Sequence, residues 1–395
     1  MWRAGLIAAV LLAGAADAQG QATPPKLTLE RVVLLMRHGV RPPTKAPAMP
    51  ASVTPERWPD WPVAPGYLTP HGADAVTALG AADREGLTRG GLLPANGCPK
   101  PDAIAIIADS DQRTIATADA WLKGLAPGCT ARREQKPQGQ DDPLFGPLGN
   151  GATIDADAAN AAVKAAIGPG GLAALDRQYA PLLKRLDTIL CGKPRPGCGV
   201  GDAPTTLTPA TATSRPKLDG ALDTASTAAQ ILLLEYADGK APAQVGWGRA
   251  TAADVTALSA FHALEFRLLA RPLPVARANM ALLNRRIDAA LNAPDGASVT
   301  MISGHDTQVA NFGGLIGGHW RVPGFAGDDP APGGAIVIER LRDAQGAAFV
   351  RVKYRAQPLG RLRGGGTGAL EQPMTVAGCG TLCPAERFAA LLRAQ

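Results

Sequence analysis

Three short apolar segments constrain the fold of this chain more than any other feature of its sequence. They cover residues 32–36, 103–108 and 298–303, and each resembles a strand that is buried on both faces. Separated by helical segments, they predict an α/β fold with an open, mostly parallel sheet flanked by helices. Ligands of such sheets bind beyond the carboxyl ends of the strands. The residues at those ends are charged or polar: Arg37 and His38, Asp109 to Arg113, and His305 and Asp306.

The segment after residue 36 has the composition of a phosphate-binding loop. Residues 39–43 contain a glycine and two prolines, which stop the strand. One helical turn would place Arg37, His38 and Arg41 on one face. Because two guanidiniums disfavour a third positive charge, we expect His38 to be neutral and nucleophilic, and the arginines to bind phosphate. The spacing of charges alone leaves open an alternative, a basic surface loop in which His38 is merely hydrogen-bonded.

The ends of the other two segments carry residues that could complete such a site. Arg113 lies where a strand ends and a helix begins, a position that favours anions. The alternative for Arg113 is an ion pair with Asp109 or Asp111. His305 can donate a hydrogen bond to a phosphoryl oxygen, and Asp306 can give a proton to a leaving alcohol. The alternative for Asp306 is a capping role at a helix start.

Two separate motifs resemble the signatures of one enzyme family. Arg-His-Gly-Val-Arg-Pro-Pro-Thr at 37–44 resembles the RHGxRxP signature of the histidine acid phosphatases, and Gly-His-Asp-Thr at 304–307 resembles their second signature. The resemblance extends from about Leu27 to the C-terminus. It is greatest to the bacterial periplasmic phytase and glucose-1-phosphatase branch of histidine phosphatase superfamily branch 2. It implies a phosphoglycerate mutase-like α/β fold with a smaller all-helical insert domain.

The resemblance also implies roles for individual residues. His38 would attack phosphorus and Asp306 would protonate the leaving group. The phosphoryl oxygens would be held by four side chains: Arg37, Arg41, Arg113 and His305. No metal or cofactor is implied, since guanidiniums take the role of magnesium.

Four further positions correspond to substrate contacts in the resembled phytases. Thr44 and Lys45 match residues that contact substrate phosphates, although Lys45 could equally be a solvated charge. A helix is predicted at 218–238 of this chain. In the resembled phytases, the corresponding helix directs a methionine and a glutamate into the pocket. Here the two positions hold Thr227 and Gln230. Loss of the carboxylate lessens repulsion of a polyanion but removes an acid, so phytase-like specificity does not follow.

These residues predict an exported acid phosphatase that hydrolyses phosphomonoesters through a phosphohistidine intermediate. Phytate-type inositol phosphates or sugar phosphates are the expected substrates. A glucose-1-phosphatase or a broad-specificity acid phosphatase is the alternative. A more remote hypothesis is a protein that binds phosphate esters without cleaving them, and export disfavours a mutase of the wider superfamily. The preferred substrate and the pH optimum do not follow from the sequence.

The first 18 residues predict a signal peptide. Arg3 precedes an apolar stretch at 6–12, and Ala-Asp-Ala at 16–18 is a small-x-small cleavage site. A retained N-terminal anchor is the alternative. We expect a periplasmic or secreted monomer that acts on a small-molecule phosphomonoester, with no membrane association after cleavage. The net charge of +6 is not concentrated in a Lys/Arg block and aromatic residues make up 4%, which argues against nucleic-acid binding.

The length of the chain predicts more than one structural unit. Residues 19–150 and 246–395 are expected to form the α/β catalytic domain. Residues 151–245, which are rich in Ala and Leu and show no strand-like run, are expected to form the helical insert. The polar stretch at 131–153 is interpreted as a crossing between the two. The Thr69-Pro70 step predicts a helix start, and 335–339 with 347–354 predict a hairpin at the sheet edge.

Six cysteines in an exported chain predict disulfides. Proximity suggests three local bonds, and the resembled phytases share this pattern: Cys98 with Cys129, Cys191 with Cys198, and Cys379 with Cys383. The sequence alone does not decide among the possible connectivities. Metal binding by the last pair is disfavoured because no histidine or second cysteine pair lies near it. Three histidines without ligand-like spacing are interpreted as structural or surface residues: His71, His262 and His319.

Overall fold

A computed structural model describes residues 27–193, 195–201 and 203–394. The predicted signal peptide, residues 1–18, lies outside the described residues. The strands are β1 (Thr28–Arg37), β2 (Ile104–Ala108), β3 (Arg132–Gln135), β4 (Thr206–Thr208), β5 (Lys217–Asp219), β6 (Val299–Gly304), β7 (Ala335–Arg342), β8 (Ala348–Ala356), β9 (Leu370–Met374) and β10 (Cys383–Pro384). The helices are α1 (Pro70–Arg89), α2 (Gln112–Leu125), α3 (Ala156–Ile167), α4 (Gly171–Cys191), α5 (Ala221–Ala237), α6 (Ala252–Leu269), α7 (Leu273–Asn292), α8 (Asp306–Leu315), α9 (Leu359–Arg363) and α10 (Ala385–Arg393). None of these helices is long and apolar enough to cross a membrane.

The main sheet places the three apolar segments side by side. The strand order is β10-β8-β7-β1-β6-β2-β3, with β9 paired to β8, and β1, β6, β2 and β3 run parallel. In this register Met36 and Ala108 both align with Ser303. The three strands therefore end at one level, and the polar residues that follow them meet at one edge. The predicted α/β fold is confirmed.

Antiparallel strands extend the sheet beyond β1. β7 pairs with both β1 and β8, so the predicted hairpin forms. It does not lie at the sheet edge, because β9 and β10 both pair with β8. The sequence did not indicate β9, since Leu370–Met374 has no alternating apolar pattern, and it is exposed except at its last residue.

Helices α1 and α2 pack closely because glycines remove side chains from their contact. A Cβ at Gly80 would lie 2.2 Å from the carbonyl oxygen of Trp121, and a Cβ at Gly124 would lie 1.9 Å from that of Thr77. No larger residue fits at either position without separating the helices. α1 begins where it was predicted to begin, and Oγ1 of Thr69 accepts the N–H of its first turn.

The region between β3 and α6 contains α3, α4 and α5. The sequence showed no strand-like run there, yet β4 and β5 pair as a short antiparallel hairpin. The polar stretch at 131–153 likewise contains the edge strand β3. An apolar cluster joins this region to α6, with Leu186 and Leu232 packed in the same core as Phe261. The division of the chain at 150/151 and 245/246 stays a prediction.

All three expected disulfides are present: Cys98–Cys129, Cys191–Cys198 and Cys379–Cys383. The first links the connection after α1 to the connection after α2. The second closes the C-terminal end of α4, and the third closes the turn before α10. Such bonds are typical of proteins in an oxidising compartment.

Candidate active site

His38 lies directly after β1 and is almost wholly buried, with 1% of its surface exposed. Its Nδ1 lies 2.8 Å from the carbonyl oxygen of Gly39 and donates to it, which leaves the lone pair on Nε2. Burial, together with repulsion from Arg41, Arg37 and Arg113, lowers the pKa of His38 well below its ordinary value. The site therefore holds a neutral imidazole with an unprotonated Nε2. The alternative of a basic surface loop does not fit this burial.

The backbone around His38 is held from several sides. The N–H of His38 donates to the carbonyl oxygen of Gly304 at 2.9 Å, which ties the end of β1 to β6. The N–H of Gly39 donates to Oγ1 of Thr117 in α2 at 3.0 Å. A Cβ at Gly39 would lie 2.8 Å from Cδ1 of Leu68, so only glycine fits there without displacing a neighbour. The imidazole is thus fixed at the carboxyl edge of the sheet.

Three guanidiniums surround this imidazole. Nη2 of Arg37 lies 2.9 Å from Oδ2 of Asp306 and 3.1 Å from Oε1 of Gln230. Burial lowers the pKa of Arg41 to about 10. The negative charge of Asp306 opposes this decrease, and the positive charges of Arg37 and Arg113 add to it. The Nε atoms of all three arginines are buried without a hydrogen-bond partner among the described residues. Buried donors without partners are what an oxyanion site requires before its ligand binds.

The end of β2 contributes a network of charged groups. Nη2 of Arg113 donates to Asp111 at 2.6 Å, so the ion-pair alternative holds, and it also lies 3.5 Å from Nδ1 of His305. Nε2 of His305 lies 2.6 Å from Oδ2 of Asp109. The rings of His305 and His38 have centroids 5.6 Å apart. If Nε2 of His305 is to donate a hydrogen bond to a phosphoryl oxygen, its present contact with Asp109 must first break.

The same groups are the candidates for a metal site. The ligand atoms of Asp109, Asp111 and His305 lie within 4.8 Å of one another. Arg113 already contacts Asp111 and His305, and its positive charge disfavours a metal cation between them. The expectation that the enzyme needs no metal or cofactor stays a prediction.

Asp306 is the first residue of α8 and faces both the helix and the cleft. Its Oδ1 accepts the N–H of Thr307 at 2.9 Å and its Oδ2 faces Arg37, but the N-cap position of α8 is held by His305 and not by Asp306. Burial alone would raise the pKa of Asp306. Attraction to the guanidiniums of Arg37 and Arg41 outweighs burial and lowers that pKa well below its ordinary range. Without substrate the carboxyl group is therefore ionised.

A cleft of about 600 Å³ opens in front of Asp306. It is lined by the four expected substrate contacts, together with two charged residues named above: Thr44, Lys45, Thr227, Gln230, Arg41 and Asp306. The lining also includes Glu265, whose Oε2 accepts a hydrogen bond from Ser226 at 2.5 Å. Burial and the nearby Glu265 and Asp219 raise the pKa of Asp223 to about 6. The cleft lining therefore combines the positive charges of Arg41 and Lys45 with the carboxyl groups of Asp306 and Glu265.

Sequence reasoning missed three residues of this region: His262, Glu265 and Asp329. His262 is buried rather than on the surface. Its Nδ1 lies 2.6 Å from Oδ1 of Asp329, and its Nε2 lies 3.8 Å from Oδ2 of Asp306. The only local signal was the spacing of His262 and Glu265, one helical turn apart on α6.

Fold and site together define a phosphate-binding α/β enzyme, and comparison with known proteins identifies its family. Residues 28–163 and 269–355 match the Histidine phosphatase superfamily (branch 2). The chain belongs to this superfamily and is a phosphomonoester hydrolase of the histidine acid phosphatase type. The hypothesis of a binding protein without catalysis has no support among its relatives.

Two curated relatives and one solved structure show how far the similarity extends. The chain is 35% identical over 384 residues to the phytase AppA of Escherichia coli (strain K12), which covers 90% of this chain and 88% of the relative. It is 30% identical over 402 residues to the glucose-1-phosphatase of Salmonella typhimurium. That alignment covers 96% of this chain and 95% of the relative. The structure of the Hafnia alvei phytase in complex with tartrate superposes with a TM-score of 0.85 at 33% identity, covering 94% of this chain and 97% of that one.

Proposed function

We propose that this enzyme hydrolyses phosphomonoesters in two steps through a phosphohistidine on His38. The observation that carries the proposal is the buried, neutral imidazole whose free Nε2 lies within a ring of guanidiniums. In this proposal Arg37, Arg41 and Arg113 hold the non-bridging oxygens of the substrate. Electrostatic positioning of this kind is the main source of catalysis in phosphoryl transfer.

In the first step, Nε2 of His38 attacks phosphorus and the bond from phosphorus to the bridging oxygen breaks. Asp306 donates a proton to that oxygen, which leaves as the alcohol. A bound phosphate adds negative charge beside the carboxyl group and offsets the arginines that hold its pKa low. Protonation of Asp306 is thus coupled to substrate binding and favoured in acid.

In the second step, water attacks the phosphorus of the phosphohistidine. The carboxylate of Asp306 accepts a proton from this water, and the electron pair of the breaking phosphorus–nitrogen bond returns to Nε2 of His38. Inorganic phosphate leaves, Asp306 releases this proton to solvent, and the site returns to its first state. Substitution of His38 by alanine should abolish turnover of every substrate, and an active variant would refute the scheme.

For the substrate, we propose phytate-type inositol phosphates, with glucose 1-phosphate or a broad range of esters as the alternative. The relatives named above include both a phytase and a glucose-1-phosphatase. Arg41 and Lys45 give the cleft the positive charge that a polyphosphate needs, whereas Thr227 and Gln230 are neutral. Glu265 in the cleft lining instead favours a hydroxyl over a second phosphate. Rates on phytate, glucose 1-phosphate and p-nitrophenyl phosphate between about pH 3 and pH 7 decide between the two.

We further propose that the enzyme is exported and acts as a monomer in the periplasm or outside the cell. The pattern at residues 1–18 and the three disulfides support export. Mature protein that begins at Gln19 in the periplasmic fraction is the expected result. Uncleaved protein in the cytoplasm would contradict it.

A further inference from the structure

His262 and Asp329 form a buried pair beside the acidic group of the site. His262 is 6% exposed and Asp329 is 1% exposed, and their 2.6 Å contact places the ring proton on Nδ1. The other ring nitrogen, Nε2, faces Oδ2 of Asp306 at 3.8 Å. A neutral imidazole and an ionised carboxylate offer only acceptors to each other across this gap. A single proton between them would turn the gap into a hydrogen bond.

The surrounding structure fixes the orientation of this imidazole. The ring of Phe266 packs edge-on against it, with centroids 4.3 Å apart. The carbonyl oxygen of Asp329 accepts the indole N–H of Trp320 at 3.1 Å. The next residue, Pro330, accepts a hydrogen bond from Arg37 through its carbonyl oxygen. One short segment thus positions both His262 and Arg37, the two residues that flank Asp306.

We infer that His262, held by Asp329, is a positioning residue that stores the proton Asp306 delivers to the leaving group. The inference rests on the proposed function, in which Asp306 is the acid. In this arrangement the proton that Asp306 takes up when substrate binds comes from His262 and not from solvent. Proton-transfer contacts are often long in a free enzyme and shorten when substrate binds.

The proton step is balanced within the site. The Nε2–H bond of the His262 imidazolium breaks, its electron pair stays on Nε2, and the proton passes to Oδ2 of Asp306. Asp306 then gives it to the bridging oxygen as the phosphorus–oxygen bond breaks. When water attacks the phosphohistidine, its proton passes to Asp306 and back to Nε2 of His262. No other reactant is needed.

The charged groups near His262 come from several elements. Asp329 from the segment before β7 and Asp306 from α8 lie on its two ring nitrogens. Glu265, one turn further along α6, lines the same cleft, and Asp223 of α5 lies near Glu265. The side chains of α5 in the cleft are otherwise uncharged: Ser226, Thr227, Gln230, Ile231 and Leu234. The nearby guanidiniums whose charge acts on Asp306 are those of Arg37 and Arg41.

The variant His262→Asn tests this role, because it keeps a donor for Asp329 and removes the proton store. Glycerol 2-phosphate, whose leaving group needs a proton, should lose at least about tenfold in kcat, while p-nitrophenyl phosphate loses little. A carboxyl and an imidazole that share a proton retain it to higher pH than the carboxyl alone. The alkaline limb of the kcat profile should therefore move to lower pH.

Equal losses on both substrates, or an alkaline limb that stays in place or moves to higher pH, would overturn the inference. A shift to higher pH would mean that His262 acts only as a charge beside Asp306. His319→Asn is the matched control, because Nδ1 of His319 makes the same 2.6 Å contact with Asp328 on the exposed side of the segment. It should leave both rates unchanged.

A second variant covers the case in which His262→Asn does not fold. Asp329→Asn keeps an oxygen that can accept from Nδ1 of His262 but removes the negative charge. It should therefore also move the alkaline limb of the kcat profile to lower pH, by less than His262→Asn does. Formation of phosphoenzyme from p-nitrophenyl phosphate distinguishes a failure of the role of His262 from a failure of the phosphohistidine mechanism. If His262→Asn forms it without the kinetic changes, only the inference fails. If the wild-type protein forms none, the proposed function fails as well.

Discussion

Nη2 of Arg37 lies 2.9 Å from Oδ2 of Asp306, so an ion pair joins the end of β1 to the start of α8 inside the cleft. The same nitrogen lies 3.1 Å from Oε1 of Gln230 on α5. One guanidinium therefore contacts residues from two other elements. A change of charge at Gln230 must alter the attraction that keeps Asp306 ionised.

Gln230→Glu should move the alkaline limb of the kcat profile to higher pH by about one unit. The new carboxylate competes for Arg37 and repels the carboxylate of Asp306, and both effects raise the pKa of Asp306. The KM for phytate should rise because the added charge repels its phosphates. A pH–rate series checks this, with the exposed Gln345→Glu as the control for surface charge. An unchanged limb would mean that Gln230 and Asp306 are not coupled through Arg37.

Asp306→Asn should slow esters with poor leaving groups far more than p-nitrophenyl phosphate. General acid catalysis contributes roughly 10²- to 10⁴-fold, and only an alkoxide leaving group needs the whole of it. The measurement is kcat on glycerol 2-phosphate and on p-nitrophenyl phosphate. Asp328→Asn, in the segment beside Asp329, serves as the control and should leave both rates as they are. Equal losses in Asp306→Asn would count against its role as the acid.

Glu235→Gln should stabilise the protein in neutral solution but not in acid. Burial raises the pKa of Glu235 to about 8, against the weaker opposing effects of the N–H of Gly246 and of Lys240. Between its ordinary pKa of 4.5 and about 8, the unfolded state has lost this proton while the folded state retains it. The free energy of unfolding of the wild-type protein therefore falls as pH rises through this window, and glutamine removes that loss.

Urea unfolding of both proteins at about pH 4.5 and pH 8 measures the difference. The variant should gain up to about 4 kcal/mol relative to the wild-type protein across this range. A gain that is the same at both pH values would show that the proton on Glu235 is not its cause.

Removal of the Cys98–Cys129 disulfide should cost more stability than removal of Cys379–Cys383. The first spans 31 residues and the second spans 4, and a longer loop loses more entropy when it is closed in the unfolded chain. The expected losses are about 3 to 4 kcal/mol and about 2 kcal/mol. Serine pairs at each site, compared by urea unfolding without reductant, check the order. The reverse order would show that native contacts, rather than loop closure, dominate.

The part of the site that could be predicted follows from short-range pattern. A buried parallel strand can be recognised in the sequence as a local apolar run. Because parallel strands end at one edge of the sheet, the location of Arg37, Arg113 and His305 at that edge could be predicted together. The helix start at Thr69 was equally local, because a capping residue followed by proline is a signal within two residues.

What could not be predicted depends on contacts between distant segments. His262 reaches the cleft only because α6 packs against α5, and its partner Asp329 is 67 residues away. No spacing rule connects the two. The β4–β5 hairpin and β9 are short and largely exposed, so they lack the alternating apolar pattern by which strands are recognised.

Direct detection of the phosphorylated histidine tests the central claim. Enzyme mixed with radiolabelled p-nitrophenyl phosphate is quenched in alkali within the first turnover, digested and mapped. We predict label on His38 of the wild-type protein, and neither label nor turnover in His38→Ala. Rapid turnover with no label on His38, or an active His38→Ala enzyme, would contradict the account.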